Sequence, residues 1–458
     1  MNTHKELENI KQLASDKNFS LAYKELSKFI KDHGPISEAI FIKAKCARRL
    51  KKFDEALKLF RSLRNVPEYK IEAYWGESMI MKALGREEEA ILCYEQIILL
   101  SKNMPVLRES KKALEKILKE KANNKNLLLT TFPKHASNNV GDQLISSSTI
   151  SLIQSRIKNF NPIVEFRATN LDKYENTIVE NIIAPGFSIC DRTYPELYGL
   201  YSDIKKLPNF FPIGCSFQHT EPSFNAFDSY SYSKETLEFF KSITAKSGPL
   251  PCRDQLIVDM LIKHNISAVY SGDMAIYDEK HLNTIFIPPK EINSIVFTVG
   301  HHEKYYEQAA EILKMISKTF KNSKLYIAFH SKVSSKLKEI TDLATSLGYK
   351  ELHLYGDVKN LDIYNNIDLH IGYRLHGHIS FLRRRKPSVL LIEDARSFGF
   401  ANTKGTSFGC FDVYDVQLSK TIEDISNKIL SFINKQIEND FREYENIFIL
   451  LIKHIMIL

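Results

Sequence analysis

Residues 368–392 read DLHIGYRLHGHISFLRRRKPSVLLI, and the order of apolar and polar residues in this stretch decides the fold. Asp368 to Gly372 has the apolar content of a buried strand end. Tyr373 to His378 turn the chain into a short helix carrying Ile379, Phe381 and Leu382. Pro387 stops that helix, and Ser388 to Ile392 is apolar enough to be the next strand. Strand, tight turn, helix and strand put the turn at the carboxyl edge of a parallel sheet, where open α/β folds bind ligands. Arg374 and His376 at that edge pair a fixed cation with a ring that titrates near neutral pH. Such a site suits an anionic substrate with a proton to move.

The same alternation extends upstream. The second half starts at the strand 294–298 (SIVFT) and adds strands at 325–330 and 351–354. Its helices are predicted at 304–319, 332–347, near 361–366, and at 421–437. A first half carries strands at 127–131, 163–166, 179–184, 210–213 and 268–270. Helices from Gly141 onward, at 233–243 and at 254–264, fall between them. This is the pattern of doubly wound α/β sheets. It predicts two similar α/β halves, 126–288 and 289–440, hinged at Pro288-Pro289, with a ligand cleft between their strand ends.

Residues 1–122 contain no convincing strand. Phe19, Ala22 and Leu26 recur as Phe53, Ala56 and Phe60, and Ala90 with Tyr94 follows after the same interval of 34 residues. Gly85 falls at a helix-to-helix turn, and Trp75 and Pro105 sit where such a repeat carries its aromatic and closing proline. The period and the Ala/aromatic pattern resemble the tetratricopeptide repeat, a helix–turn–helix unit whose stacks present a face to a protein partner.

Composition bounds the rest. A chain of 458 residues holds two or three domains, and 43% hydrophobic with 26% charged residues is ordinary for a globular protein. The formal charge of +8 favours anionic partners but is too mild to point to nucleic acid. Six scattered cysteines without a CxxC pair fit free thiols in a reducing cytoplasm. The polar start, MNTHKELENIKQ, is unlike a secretory signal. The segment 441–458 is predicted as a C-terminal helix; its end, IFILLIKHIMIL, is too short to span a bilayer, leaving docking on the core or a peripheral membrane or partner contact.

Several residues bear on chemistry. Ser137 to Gln143 (SNNVGDQ) lies where a strand's loop enters a helix, so its N–H groups can meet an anion, with Asp142 equally suited to start the helix. Arg253, after Pro249-Leu250-Pro251 and before Asp254, is either a bidentate anion clamp or a surface arginine paired with an acid. Gly272-Asp273 reads as a cleft polar group or a turn former, and His301-His302 follow a strand at the same edge. His370, His376 and His378 lack an acid or cysteine to complete a metal set, so no metal is expected, and His370 is expected to point into the sheet. The run Arg383-Arg384-Arg385-Lys386 reads as a solvated helix end that could also face acidic lipid or glycan. GxGxxG and P-loop motifs are missing.

Asn139-x-Gly141-Asp142, Arg253-Asp254, Gly272-Asp273 and Arg374-Leu375-His376-Gly377 with Lys386-Pro387, in this order, resemble the polysaccharide pyruvyl transferase family over residues 126–434. The resemblance implies two Rossmann-like halves in a GT-B-like arrangement. It implies transfer of the pyruvyl group of phosphoenolpyruvate to two hydroxyls of a sugar, free or lipid-linked, in a capsule or exopolysaccharide precursor. A ketal forms and phosphate leaves, with no cofactor, in the cytoplasm or at the inner face of the membrane. By the same resemblance Arg253 and Arg374 hold the donor and His376 is the acid. Asn139, Gly141 and Asp273 line the cleft, and Asp142 orients an acceptor hydroxyl. The chain departs from the family in Tyr373, where a small hydroxyl residue is common, and in Met274, where Pro is usual. Two other readings remain: a nucleotide-sugar glycosyltransferase of GT-B type, and a non-catalytic adaptor built on the repeats.

Overall fold

Ala22, Ala56 and Ala90 are all fully buried, which is the physical reason for the 34-residue spacing: each lets two helices approach. In the computed structural model, residues 1–123 and 124–458 form two compact units. The structure describes residues 3–122, 125–131, 138–157, 160–175, 179–282, 284–333, 335–413 and 422–449. The first unit is all helical, with α-helices Thr3–Ser15, Phe19–His33, Ser37–Arg49, Phe53–Ser62, Lys70–Ala83, Glu87–Leu100 and Met104–Ala122. Phe60 and Tyr94 fill the gaps between neighbouring helices, and Gly76 has no side chain because the Phe60 ring occupies the space.

The second unit carries twelve strands among the described residues. They are β1 Asn126–Thr130, β2 Ile163–Phe166, β3 Asn181–Pro185, β4 Asn209–Ile213, β5 Leu250–Cys252 and β6 Ala268–Tyr270 in the first half. The second half has β7 Ser294–Thr298, β8 Lys324–Phe329, β9 Lys350–His353, β10 Leu369–Gly372, β11 Ser388–Ile392 and β12 Cys410–Asp412. One sheet runs β2-β1-β3-β4 and continues through a Cys215–Cys252 bridge to the pair β5-β6; the other runs β12-β11-β10-β7-β8-β9. Every pairing is parallel. The fold is therefore α/β with two Rossmann-like halves, and the carboxyl ends of β1, β3, β7, β8, β10 and β11 supply the walls of one cleft, the GT-B-like arrangement expected.

The halves are packed, not merely hinged. Val140, Leu144 and Met274 of the first share an apolar core with Leu375, Ile379 and Leu382 of the second. The Val140 N–H donates to the His330 carbonyl at 2.9 Å, and the Ala395 N–H to the His219 carbonyl at 3.1 Å. Strands β5 and β12 and the helix Ala395–Ala401 were not anticipated: at three to seven residues each is too short to carry a period, and Pro251 sits inside β5.

The basic run corrects an expectation. Arg383, Arg384 and Arg385 are only 8%, 9% and 5% exposed, so this is not a solvated helix end facing lipid or glycan. Arg383 donates to Asp278 at 3.0 Å, to Ser148 Oγ at 3.0 Å and to the Ala275 carbonyl at 2.9 Å, tying the helix Leu375–Arg383 to the first half. Lys386 donates to the carbonyls of Asn365 and Ile367 at 2.8 and 2.7 Å. The carboxyl end of the helix sits at the interface between halves, where Arg383 is paired with Asp278 while Arg385 reaches only the carbonyls of Leu382 and Leu282 at 3.3 and 3.5 Å. Phe441, Tyr444, Ile447 and Phe448 also pack into the core, with the Tyr444 hydroxyl donating to the Ser388 carbonyl at 2.8 Å. Residues 450–458 of the apolar tail lie outside the described residues. Among the described residues no helix is long and apolar enough to cross a membrane.

Candidate active site

The turn after β10 is built by close backbone approach. Gly372 has φ +155°, and a side chain there would collide with Thr298 of the adjacent β7. Arg374 immediately precedes the helix Leu375–Arg383 without capping it through its side chain, and His376 sits in its first turn. His370 lies in the sheet as anticipated, its ring between Thr298 Oγ1 at 2.8 Å and Ser388 Oγ at 2.7 Å. His378 Nδ1 shares the same Ser388 hydroxyl at 2.7 Å, and burial pulls this ring down to about 3, so it stays neutral. Both are structural. No metal-binding cluster occurs among the described residues.

His376 is seated against the first half. The helix Val140–Arg156 starts at Asn139, whose side-chain oxygen accepts the Gly141 N–H at 3.0 Å, so Asn139 is the cap and Asp142 lies in the first turn. Gly141 faces the His376 ring directly. A Cβ there would sit 3.1 Å from His376 Cβ, 3.0 Å from Cγ and nearer still to Nδ1. The loop residues 132–137 lie outside the described residues.

On the other edge of the ring stands a buried charge cluster. His376 Nε2 lies 3.6 Å from Asp273 Oδ2, which lies 3.6 Å from Arg253 Nη1; Arg253 Nε is 3.8 Å from Asp254 Oδ2. These are charge contacts longer than hydrogen bonds. Arg253 is 5% exposed, so the alternative of a surface arginine is excluded, although Asp254 is indeed one of its neighbours. Burial pushes the Asp273 carboxyl up, but His376 and Arg253 outweigh it and hold it down at about 2, ionised. Burial raises Asp254 to about 7, with Arg253 opposing. Arg253 Nε and Nη2, Asp254 Oδ2, Asp273 Oδ2 and His376 Nε2 are all buried without a hydrogen-bond partner among the described residues. An unmet buried polar group costs about 1–3 kcal/mol, so such a concentration marks a place where a ligand's polar atoms fit.

Two cavities meet at this ring. One has Arg374, Asn139, His301, His330 and Glu393 in its wall; the other has Arg253, Arg167, Asp142, Thr130 and Ser146; His376 and Arg396 line both. Arg374 donates to Ser331 Oγ at 2.6 Å, and burial lowers it to about 10 against the pull of Glu393. Arg396 is clamped to Asp394 Oδ2 through Nε at 2.8 Å and Nη2 at 2.5 Å. Burial, then Arg374, hold His301 at about 2 and therefore neutral. His302 is not among the lining residues. Arg396, Glu393 and Arg167 escaped the reading of the sequence. Glu393 to Arg396 again follow a strand and open a helix at a carboxyl edge, the signal already used for Arg374, but the seven-residue helix hid it.

A family model described as polysaccharide pyruvyl transferase matches residues 139–394, from the cap of the helix behind Gly141 to the cap after β11. The chain belongs to the polysaccharide pyruvyl transferase family. This family member is thus a transferase, and the match takes in both walls of the cleft but not the helical unit. No curated protein matches it. Among solved structures it is similar to the Arabidopsis OM64 TPR domain, with 18% identity over 25% of this chain and 98% of that one, at a TM-score of 0.23. It is also similar to an O-GlcNAc transferase variant of Thermobaculum terrenum, with 10% identity over 99% and 93% of the chains and a TM-score of 0.32. The UDP-GlcNAc 2-epimerase of Methanocaldococcus jannaschii shares 12% identity over 68% and 91%, at a TM-score of 0.39.

Proposed function

We propose that this pyruvyl transferase moves the pyruvyl group of phosphoenolpyruvate onto two hydroxyls of a sugar in a cell-surface polysaccharide precursor, forming a ketal and releasing phosphate. The observation that carries the reading is the meeting of two cavities, each with its own buried arginine, at the His376 ring. Phosphoenolpyruvate has two anionic groups on one carbon, with the vinyl methylene between and beside them. Arg374 and Arg253 take one anion each, and His376 gives its proton to the methylene carbon. The adjoining carbon becomes oxocarbenium-like, and the first sugar hydroxyl adds to it. The carbon–oxygen bond to phosphate then breaks and the second hydroxyl closes the ketal. Of the two hydroxyl protons, one restores His376 and the other leaves on the phosphate. Asp273 orients the ring, Gly141 gives it room, and Asn139 and Asp142 face the acceptor, Asp142 aligning its hydroxyl.

The free cysteines suit a reducing cytoplasm, where phosphoenolpyruvate is made, and a lipid-linked acceptor would bring the reaction to the inner membrane face. The helical unit would recruit a protein partner. The test is incubation with phosphoenolpyruvate and candidate glycans, following phosphate release and the ketal methyl signal by NMR. His376→Ala and Arg374→Ala should each abolish turnover without unfolding the protein; near-normal rates in both variants refute the assignment.

A further inference from the structure

Glu393 is a buried carboxyl for which the steps above have no use. It is 2% exposed and lines the same cavity as Arg374 and His376. Its Oε2 accepts the His301 N–H at 2.7 Å and is pressed against the backbone at Gly300, where a Cβ would stand 2.5 Å away. That contact fixes the carboxylate in place. Asp394 beside it is already spent, on the Arg396 guanidinium and on the N–H groups of Arg396 and Ser397 at 3.0 and 3.1 Å.

We infer that Glu393 is the second proton-handling residue of the transfer: it takes the proton from the attacking sugar hydroxyl while His376 protonates the vinyl carbon. The inference rests on the function proposed above. The step balances: the hydroxyl O–H breaks as its oxygen bonds the former vinyl carbon, the Glu393 carboxylate holds that proton, and it returns to His376 or leaves on the phosphate. A group in this role must change protonation near the working pH. The groups facing Glu393 are Asp394 and Arg396 on its own loop, Arg374 and Tyr373 from the β10 turn, and His301, Lys304 and Tyr306 from the segment after β7. Burial pushes its carboxyl up to about 7, Asp394 adds to this, and Arg374 and Arg396 oppose it. Arg396 holds Asp394 ionised, so of these two neighbouring carboxyls it is Glu393 that takes up a proton. Glu393 is therefore protonated below neutrality and a base above it.

The test is the pH profile of kcat for phosphoenolpyruvate-dependent phosphate release, with the acceptor that the NMR experiment identifies. Wild-type protein should show a rise in rate with pH through neutrality. Glu393→Gln keeps the size and the acceptor for the His301 N–H; its kcat should fall by about 10²–10⁴-fold and the rise should disappear. Glu393→Asp should keep the rise at a lower rate, and it serves if the glutamine variant melts early. A rise that persists unmoved in Glu393→Gln, or a loss confined to KM for phosphoenolpyruvate, overturns the inference and leaves Glu393 as a charge partner of Arg374. Absence of any wild-type turnover overturns the proposed function and this step with it.

Discussion

Gly141→Ala tests the contact on which the whole site depends, the seating of a second-half histidine on a first-half helix. The added methyl would lie 3.0 Å from His376 Cγ, 3.1 Å from its Cβ and closer to Nδ1, whereas ordinary contacts run at 3.4–4 Å. The ring is 9% exposed, with Asp273 on its far edge, so it cannot swing into solvent. It must shift by roughly 1 Å, and a displacement of that size in a reacting group lowers turnover by about 10²-fold. Helix propensity works the other way, because Ala is favoured over Gly by up to about 1 kcal/mol inside a helix. The expected variant is folded, with a melting temperature near that of the wild type and kcat down by about two orders of magnitude. Phosphate release measured beside a thermal melt checks this. Turnover within about threefold of wild type would refute the geometry and with it the role given to His376.

Two further predictions concern stability. Arg383→Met leaves Asp278 with His281 at 2.9 Å but without its guanidinium, across the interface between halves, and should cost about 3 kcal/mol in urea unfolding. A loss under about 1 kcal/mol would mean that the arginine only fills space. Asp273 is held at about 2, below its ordinary value of 3.8, so its ionised form stabilises the fold above that ordinary value. The contribution, on the order of 2 kcal/mol, is lost as pH falls through about 2. The stability gap between wild type and Asp273→Asn should therefore narrow between about pH 4 and pH 2, and a gap that does not move with pH contradicts the assignment.

Much of the fold was legible locally. Parallel strands buried on both faces are near-continuous apolar runs, so β1, β7, β8 and β11 stand out from the chain, and the repeat is legible because one Ala position recurs at a fixed interval. A helix start was legible where a short polar side chain caps the backbone, as at Asp254, whereas the start read at Asp142 is capped by Asn139 instead. Of the three-residue strands, β6 was legible, but β5, with Pro251 inside it, and β12 were not.

The candidate site divides along the same line. Arg374 and His376 were recognisable from their own strand–turn–helix context, and Arg253 from its place before a helix start, which is information carried within a few residues. Sequence determined which groups stand at the carboxyl edges of the sheets. Only the tertiary structure decided which of those edges face one another. It set the Gly141 backbone under His376, put Glu393 and Arg396 into the cavity walls, and buried Arg383 to Arg385 at the interface between halves. The physical reason is that burial and charge proximity depend on contacts between residues far apart in the chain. A guanidinium at a helix end reads the same in sequence whether water or a second domain lies against it.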